Sequence, residues 1–163
     1  ITLEKKFGLV HAGAHAMDIM RMEKGYLHWG HDISPAENPY EAGLGFAIKL
    51  NKKENFIGKE FLIANKNIRK KKLLMFNLKD SNPGNPLLLH DEPIYYKGKI
   101  VGETTSANYS FIYKKNIVYG YVDDKINLNN LKSLFEIEVA KIKYKANIIK
   151  KSLHDPENQF MKY

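Results

Sequence analysis

Two pairs of histidines have a spacing that suits chemistry. His11 and His15 are four apart, and His28 and His31 are three apart. On a helix such spacings place two imidazoles on one face, where they can ligate a metal. Neither pair lies in an HExxH frame, and Gly13 interrupts the first. They read as surface or hydrogen-bonded histidines, and no metal site is expected. Arg21 and Glu23 flank Met22. Residues two apart on a helix do not face each other, so each is expected to find a partner on another element, in an ion pair that holds structure. Tyr95, Tyr96, Tyr109, Tyr113, Tyr119, Tyr121 and Tyr144 sit among lysines. Aromatics beside basic side chains on a sheet can stack bases. No RNP-like motif accompanies these, so they read as core and strand-stapling residues. The chain has no cysteine, which removes thiolate nucleophiles, disulfides and Cys-based zinc sites.

The elements that must hold these residues fall into two textures. Residues 1–68 carry helical patterns joined by Gly/Pro turns. Residues 15–24 form a partly apolar helical run, and Gly25 follows where a left-handed stop belongs. Residues 26–38 read as a long loop, with Pro39 able to open a short helix through Tyr40, Glu41 and Ala42. Residues 58–65 read as a further helix. Beyond residue 72 the texture is Tyr, Ile, Val and Lys in short alternating runs. Strands are expected at residues 73–78, 93–96, 99–103, 117–122, 135–140 and 142–150, with a hairpin across Lys97-Gly98. Such strands with little helix favour a small closed barrel or a sandwich, because closure hides sheet edges. The basic stretch at residues 67–72 is the best boundary candidate. The fold class is therefore α+β.

Composition sets the remaining bounds. The 163 residues are 44% hydrophobic and 27% charged, with a net charge of +8, which describes a globular chain rather than a disordered one. The excess of lysine reads mainly as solvated surface. A basic β-barrel that binds nucleic acid is the competing reading, and a steep loss of binding with salt would mark it. No signal peptide and no bilayer-length apolar run is visible, so no membrane partner is expected. A cytoplasmic location is expected, or the mitochondrial matrix in a eukaryote. The chain opens on Ile1, and its first seven residues read as the last turns of a helix that starts upstream. That suggests a piece of a longer product.

Longer motifs carry a resemblance. Residues 15–33, HAMDIMRMEKGYLHWGHDI, resemble the "SLRLEKG…WG.D" segment of dimethylglycine and sarcosine dehydrogenases. NPYEAGLGFAIKL at residues 38–50 resembles "P.EAGL.F.VKL", and FIGKEFL at residues 56–62 resembles "FIGKEAL". GETTSANYSF and IVYGYV, from residues 102 and 117, resemble "G.vTSg.ys…ia.gYv", and LHDPENQFMK at the end resembles "L.DP…RMR". These motifs span nearly the whole chain in the order found in the glycine-cleavage T-protein (aminomethyltransferase) superfamily.

The resemblance implies that residues 1–68 are the last portion of a folate-binding aminomethyltransferase domain and residues 69–163 a C-terminal antiparallel β-barrel. It implies transfer of an amine-derived methylene group to tetrahydrofolate. In the dehydrogenase members, FAD on a separate N-terminal domain first oxidises an N-methyl amine. The family's catalytic aspartate and its "GE.G.E" pterin segment lie upstream of the matched region, so no catalytic residue is expected in this segment. Its partners would be the N-terminal part of the same protein and a small N-methyl amine, not nucleic acid. Phe46 matches the aromatic that lies beside folate, and Trp29 is the second candidate to line that pocket. Arg21, Glu23, His31, Asp32 and Glu41 match family positions and read as scaffold. Met17 stands where aminomethyltransferases carry an arginine. Ala107 replaces a family glycine, so a turn there must tolerate a Cβ. The alternatives are a stand-alone aminomethyltransferase or folate-dependent methyltransferase, and a non-catalytic folate-binding relative.

Overall fold

The structure is a computed structural model that describes residues 2–128 and 135–162. Two helices open the chain, α1 (Thr2–Phe7) and α2 (Ala14–Lys24). A short 3-10 turn (Gly45–Ala47) and α3 (Lys59–Ala64) follow. The strands are β1 (Lys71–Leu78), β2 (Pro93–Tyr96), β3 (Lys99–Ser110), β4 (Lys115–Asp123), β5 (Phe135–Val139) and β6 (Ile142–Ile149). They close into an antiparallel barrel in the order β1-β4-β3-β2-β5-β6, with β6 returning to β1. The expected closed-barrel alternative is the one adopted, and closure leaves no open sheet edge to pair with another chain.

Alternation explains the barrel interior. In β5, Phe135, Ile137 and Val139 are buried while Glu136 and Glu138 lie on the other face, the period of a pleated strand. Phe135 meets Phe76 at a ring-centroid distance of 5.3 Å, and Ile94, Val118 and Val122 complete the core around them. The β2–β3 hairpin turns on Lys97 and Gly98, both with positive φ (51° and 78°), the backbone a two-residue hairpin turn requires.

β3 runs to Ser110, well past the predicted end at residue 103. This corrects the reading of Ala107: it sits inside β3 opposite Val118, not in a turn, and its Cβ is ordinary strand geometry. Gly102 instead carries the tight approach. A Cβ there would lie 1.8 Å from the carbonyl oxygen of Tyr121 on β4. The short helix expected from Pro39 is a single turn, in which the N–H groups of Glu41 and Ala42 both donate to the Asn38 carbonyl.

A second, smaller cluster lies outside the barrel. Met75, Ile117 and Tyr119 of β1 and β4 pack against Met22 of α2, with Ile19 and Leu27 beside them. Met22 is fully buried. α2 ends at Gly25, which holds φ 88° and donates back to Met22. A Cβ at Gly25 would also meet Ser152 at 3.0 Å, so the left-handed stop doubles as the seat for the chain's last segment.

Candidate functional site

The polar residues of the matched motifs converge where α2 meets β3. Arg21 donates to Asp32, to Asp18 at 2.8 Å and to Ser106 at 2.7 Å. Asp32 is 1% exposed. Its carboxylate also accepts from the His28 N–H at 2.9 Å and the Thr105 hydroxyl at 2.6 Å, and its carbonyl accepts from Tyr121 at 2.9 Å. In a regular strand, Thr105 and Ser106 would point to opposite faces. A bulge between Thr104 and Ser106 breaks the register, and both hydroxyls reach the same ion pair.

The inter-element ion pair expected of Arg21 is therefore present, with Asp32. Glu23 differs. It is 4% exposed and accepts from the Ser110 hydroxyl instead of pairing with a cation. Its carbonyl takes the His154 N–H at 2.9 Å, while Lys24 pairs with Asp155 at 2.8 Å and Tyr113 donates to the Leu153 carbonyl. The last segment thus straps α2 to the barrel. Tyr119 donates to the Met22 carbonyl. Burial, and then the Asp32 charge, push its phenol far above the ordinary value of 10.0. Burial does the same for Tyr121. Both rings are buried against protein and offer no free face for a base.

A second junction ties the loop to β1. Asn38 accepts from the N–H groups of Tyr40 and Glu41, and Glu41 accepts from the Asn38 N–H, a reciprocal capping box. The other Glu41 oxygen takes the Lys70 N–H at 3.0 Å. Ser34 and Glu37 repeat the pattern one step earlier, and Glu37 pairs with Lys71 at 2.7 Å. Burial opposes ionisation of both carboxyls. The Lys71 ammonium with Ser34 outweighs it at Glu37, and the main-chain N–H groups of Lys70 and Asn38 outweigh it at Glu41, so both stay below 4.5. The spacings S-x-x-E and N-x-x-E were readable in the sequence and were the missed signal for this anchor.

Trp29 and Phe46 stand on separate loops. Trp29 forms a bridge with Ile33, and its side chain is 66% exposed. Phe46 projects from the 3-10 turn at 78% exposure. Met17 and Met20, three apart on α2, are 69% and 65% exposed, and Val10, Ile57 and Phe61 are also exposed. Large apolar side chains exposed in this number within the first region suit a surface that is covered or binds. His28 and His31 face each other with ring centroids at 4.5 Å, and His11 pairs with Glu4 at 3.0 Å. Among the described residues no group of three or more His, Cys, Asp or Glu could hold a metal. No helix of the described residues is long and apolar enough to cross a membrane. Asp32, Glu23, Glu37 and Glu41 are all held in place by hydrogen bonds.

Comparison with known proteins gives the same arrangement. The GCVT N-terminal domain matches residues 1–52, and the glycine cleavage T-protein C-terminal barrel domain matches residues 71–155. The mitochondrial sarcosine dehydrogenase of Homo sapiens is 35% identical over 163 residues, covering 96% of this chain and 17% of that protein. The mitochondrial dimethylglycine dehydrogenase of Mus musculus is 35% identical over 146 residues, covering 90% of this chain and 16% of that protein. The chain therefore spans about a sixth of the length of these relatives. The solved aminomethyltransferase T of the Bartonella henselae glycine cleavage system superposes with a TM-score of 0.72 at 20% identity, over 86% of this chain and 38% of that one.

Proposed function

This chain belongs to the glycine cleavage T-protein family, and from that membership we propose that it is the C-terminal segment of a tetrahydrofolate-dependent one-carbon transfer enzyme. In this reading the parent protein passes an amine-derived methylene group to tetrahydrofolate, coupled to flavin-dependent oxidation of dimethylglycine or sarcosine elsewhere in the polypeptide. The observation that carries the reading is the exposed apolar surface of the first region. Phe46, Trp29 and the Met17–Met20 stripe face solvent, while the polar face of α2 is fully engaged with the barrel. A helix apolar on its outer side is half of an interface. We assign the other half to the remainder of the folate domain.

The residues present fit part of a folate cradle. Phe46 offers a flat apolar face for a pterin or aminobenzoyl ring, and Trp29 a second one, each able to exclude water from one side of the ligand. When bound, tetrahydrofolate supplies the nucleophilic nitrogens that take up the one-carbon unit. We place the proton acceptor outside this segment; the buried carboxylates of Asp32, Glu23 and Glu41 are already committed to Arg21, Ser110 and main-chain N–H groups. FAD belongs to a separate N-terminal domain. An aqueous compartment, the cytoplasm or the mitochondrial matrix, suits these partners.

Tetrahydrofolate titration of this chain and of the intact reading-frame product, side by side, tests the proposal. The intact product should bind at least about a hundredfold more tightly, the scale of losing one wall of a ligand pocket. Equal affinity would refute the half-cradle reading.

A further inference from the structure

The antiparallel order brings three connections to one end of the barrel: the segment from β1 to β2, the β3–β4 turn at residues 111–114, and the β5–β6 turn at Ala140 and Lys141. Hydrogen bonds hold them to the strands around them. The Asn116 N–H donates to the Ser81 hydroxyl at 3.0 Å and its side-chain amide to the Pro86 carbonyl at 3.2 Å. The Lys79 N–H donates to the Lys145 carbonyl at 3.0 Å.

Each connection carries apolar side chains into solvent. Leu88 is buried in the barrel core, while its neighbours Leu87 and Leu89 are exposed. Phe111 and Ile112 stand next to each other on the β3–β4 turn at 71% and 65% exposure, and Ile142 is exposed beside the third turn. The β3–β4 turn is fixed from below. The Tyr113 N–H donates to the Ser110 hydroxyl at 3.1 Å, the Tyr113 hydroxyl donates to the Leu153 carbonyl, and Tyr109 meets the Phe111 ring edge-on at 5.2 Å. A fixed turn presents its two apolar side chains with little ordering left to do on binding.

Lysines surround these tips. Lys79, Lys114, Lys115 and Lys141 are exposed, and among the described residues none of them forms an ion pair. Glu138 and Lys143 stand opposite each other on β5 and β6 and offset each other. Glu92 is bound to the Thr104 hydroxyl at 2.7 Å, and Asp91 to His90 at 2.6 Å. Asp80 is the remaining exposed acid beside the lysines, so the potential at this end is positive.

We propose that this end of the barrel docks on an anionic lipid surface, with Phe111 and Ile112 entering the headgroup layer and the lysines meeting lipid phosphates. Apolar tips backed by basic side chains suit that boundary. No helix of the described residues can cross a membrane, and lying on one requires no such helix. The form of the surface favours lipid over protein. A protein partner would need a matching hollow for each convex tip, whereas a fluid interface accepts all of them without shape complementarity. A second copy is disfavoured by charge, because pairing this end with itself sets lysines against lysines. The tips lie outside the folate cradle proposed above, and neither proposal needs the other.

Co-sedimentation of the intact reading-frame product with phosphatidylcholine vesicles, with and without phosphatidylglycerol, is the test. Wild type should pellet with the anionic vesicles and stay in solution with the neutral ones, and its binding should weaken as salt rises. Phe111→Ser/Ile112→Ser should weaken binding by about tenfold or more, and Lys114→Gln/Lys115→Gln by about tenfold or more. Lys99→Gln/Lys125→Gln, which removes equal charge from the opposite end of the barrel, should leave it unchanged. All six side chains are exposed, so every variant should melt as wild type does. No binding by wild type, equal binding to neutral vesicles, undiminished binding by the Phe111/Ile112 variant, or equal loss in both lysine variants would each overturn the proposal. Sedimentation velocity showing a dimer that the Phe111/Ile112 variant dissolves would overturn it too, and would give the surface to a second copy.

Discussion

Asp32→Ala probes the joint on which the arrangement depends. The substitution removes the carboxylate that accepts from Arg21, from the His28 N–H and from the Thr105 hydroxyl. Arg21 is only 14% exposed at its side chain, so its charge cannot simply return to water. Breaking a buried pair by deleting one partner costs about 3–5 kcal/mol. Asp18 remains 2.8 Å from the guanidinium and compensates part of the loss, which places the cost near the lower bound, about 3 kcal/mol. For a protein of this size each kcal/mol moves Tm by about 2–4 °C, so Tm should fall by about 6–12 °C in a thermal melt. Amide exchange should show the Thr105–Ser106 bulge opening first, since it loses its partner directly. The double variant Arg21→Met/Asp32→Leu should be less destabilised than the sum of the single variants by about 1–3 kcal/mol. A Tm drop under about 3 °C, or strict additivity in the double-mutant cycle, would refute the claim that this ion pair holds α2 to the barrel.

Phe46→Ala in the intact reading-frame product should weaken tetrahydrofolate affinity by about tenfold or more while sparing flavin-dependent amine oxidation; unchanged affinity in a folate titration removes Phe46 from the pocket. Gly102→Ala should destabilise by more than about 2 kcal/mol, since the added Cβ meets the Tyr121 carbonyl and packed strands cannot part cheaply. A denaturant midpoint equal to wild type contradicts that close approach. Glu41→Gln reports on acid stability. The Glu41 carboxyl titrates below 4.5 in the folded protein, so the folded state binds fewer protons than the unfolded one. Its contribution is present above 4.5 and is lost as pH falls through the folded value. Wild type and variant should therefore differ in urea midpoint near neutrality and converge in acid, and a gap that persists undiminished in acid denies the carboxylate this role.

The barrel was legible because its signals are local. Alternation in residues 135–139 and the Lys97-Gly98 turn each report a strand or a hairpin without reference to the rest of the chain. The α2 stop at Gly25 was legible for the same reason. What the sequence concealed depends on distant partners. The extension of β3 to Ser110 is favoured by hydroxyls that answer Arg21, Asp32 and Glu23, residues about eighty positions away. Ala107 reads as a turn residue because the resemblance puts it where the family carries a glycine. Pairing with β4 overrides that expectation. Glu23 looked like an ion-pair member by type, and only the fold shows that Ser110 reaches it first.

The two junctions point the same way. Every polar motif residue that faces the barrel is spent: Arg21 and Asp32 on the bulge, Glu23 on Ser110, and Glu41 on the main chain entering β1. Met17, Met20, Trp29 and Phe46 of the same motifs remain exposed. A segment meant to stand free would gain by reversing that choice, because exposed apolar area on this scale invites association. Its polarity instead makes sense if the barrel is a rigid mount and the outer face belongs to a pocket. Covering that face should then protect the α2 amides from exchange far more than any ligand acting on the barrel side. An α2 already as protected in the isolated chain as in the intact reading-frame product would break this inference at its root.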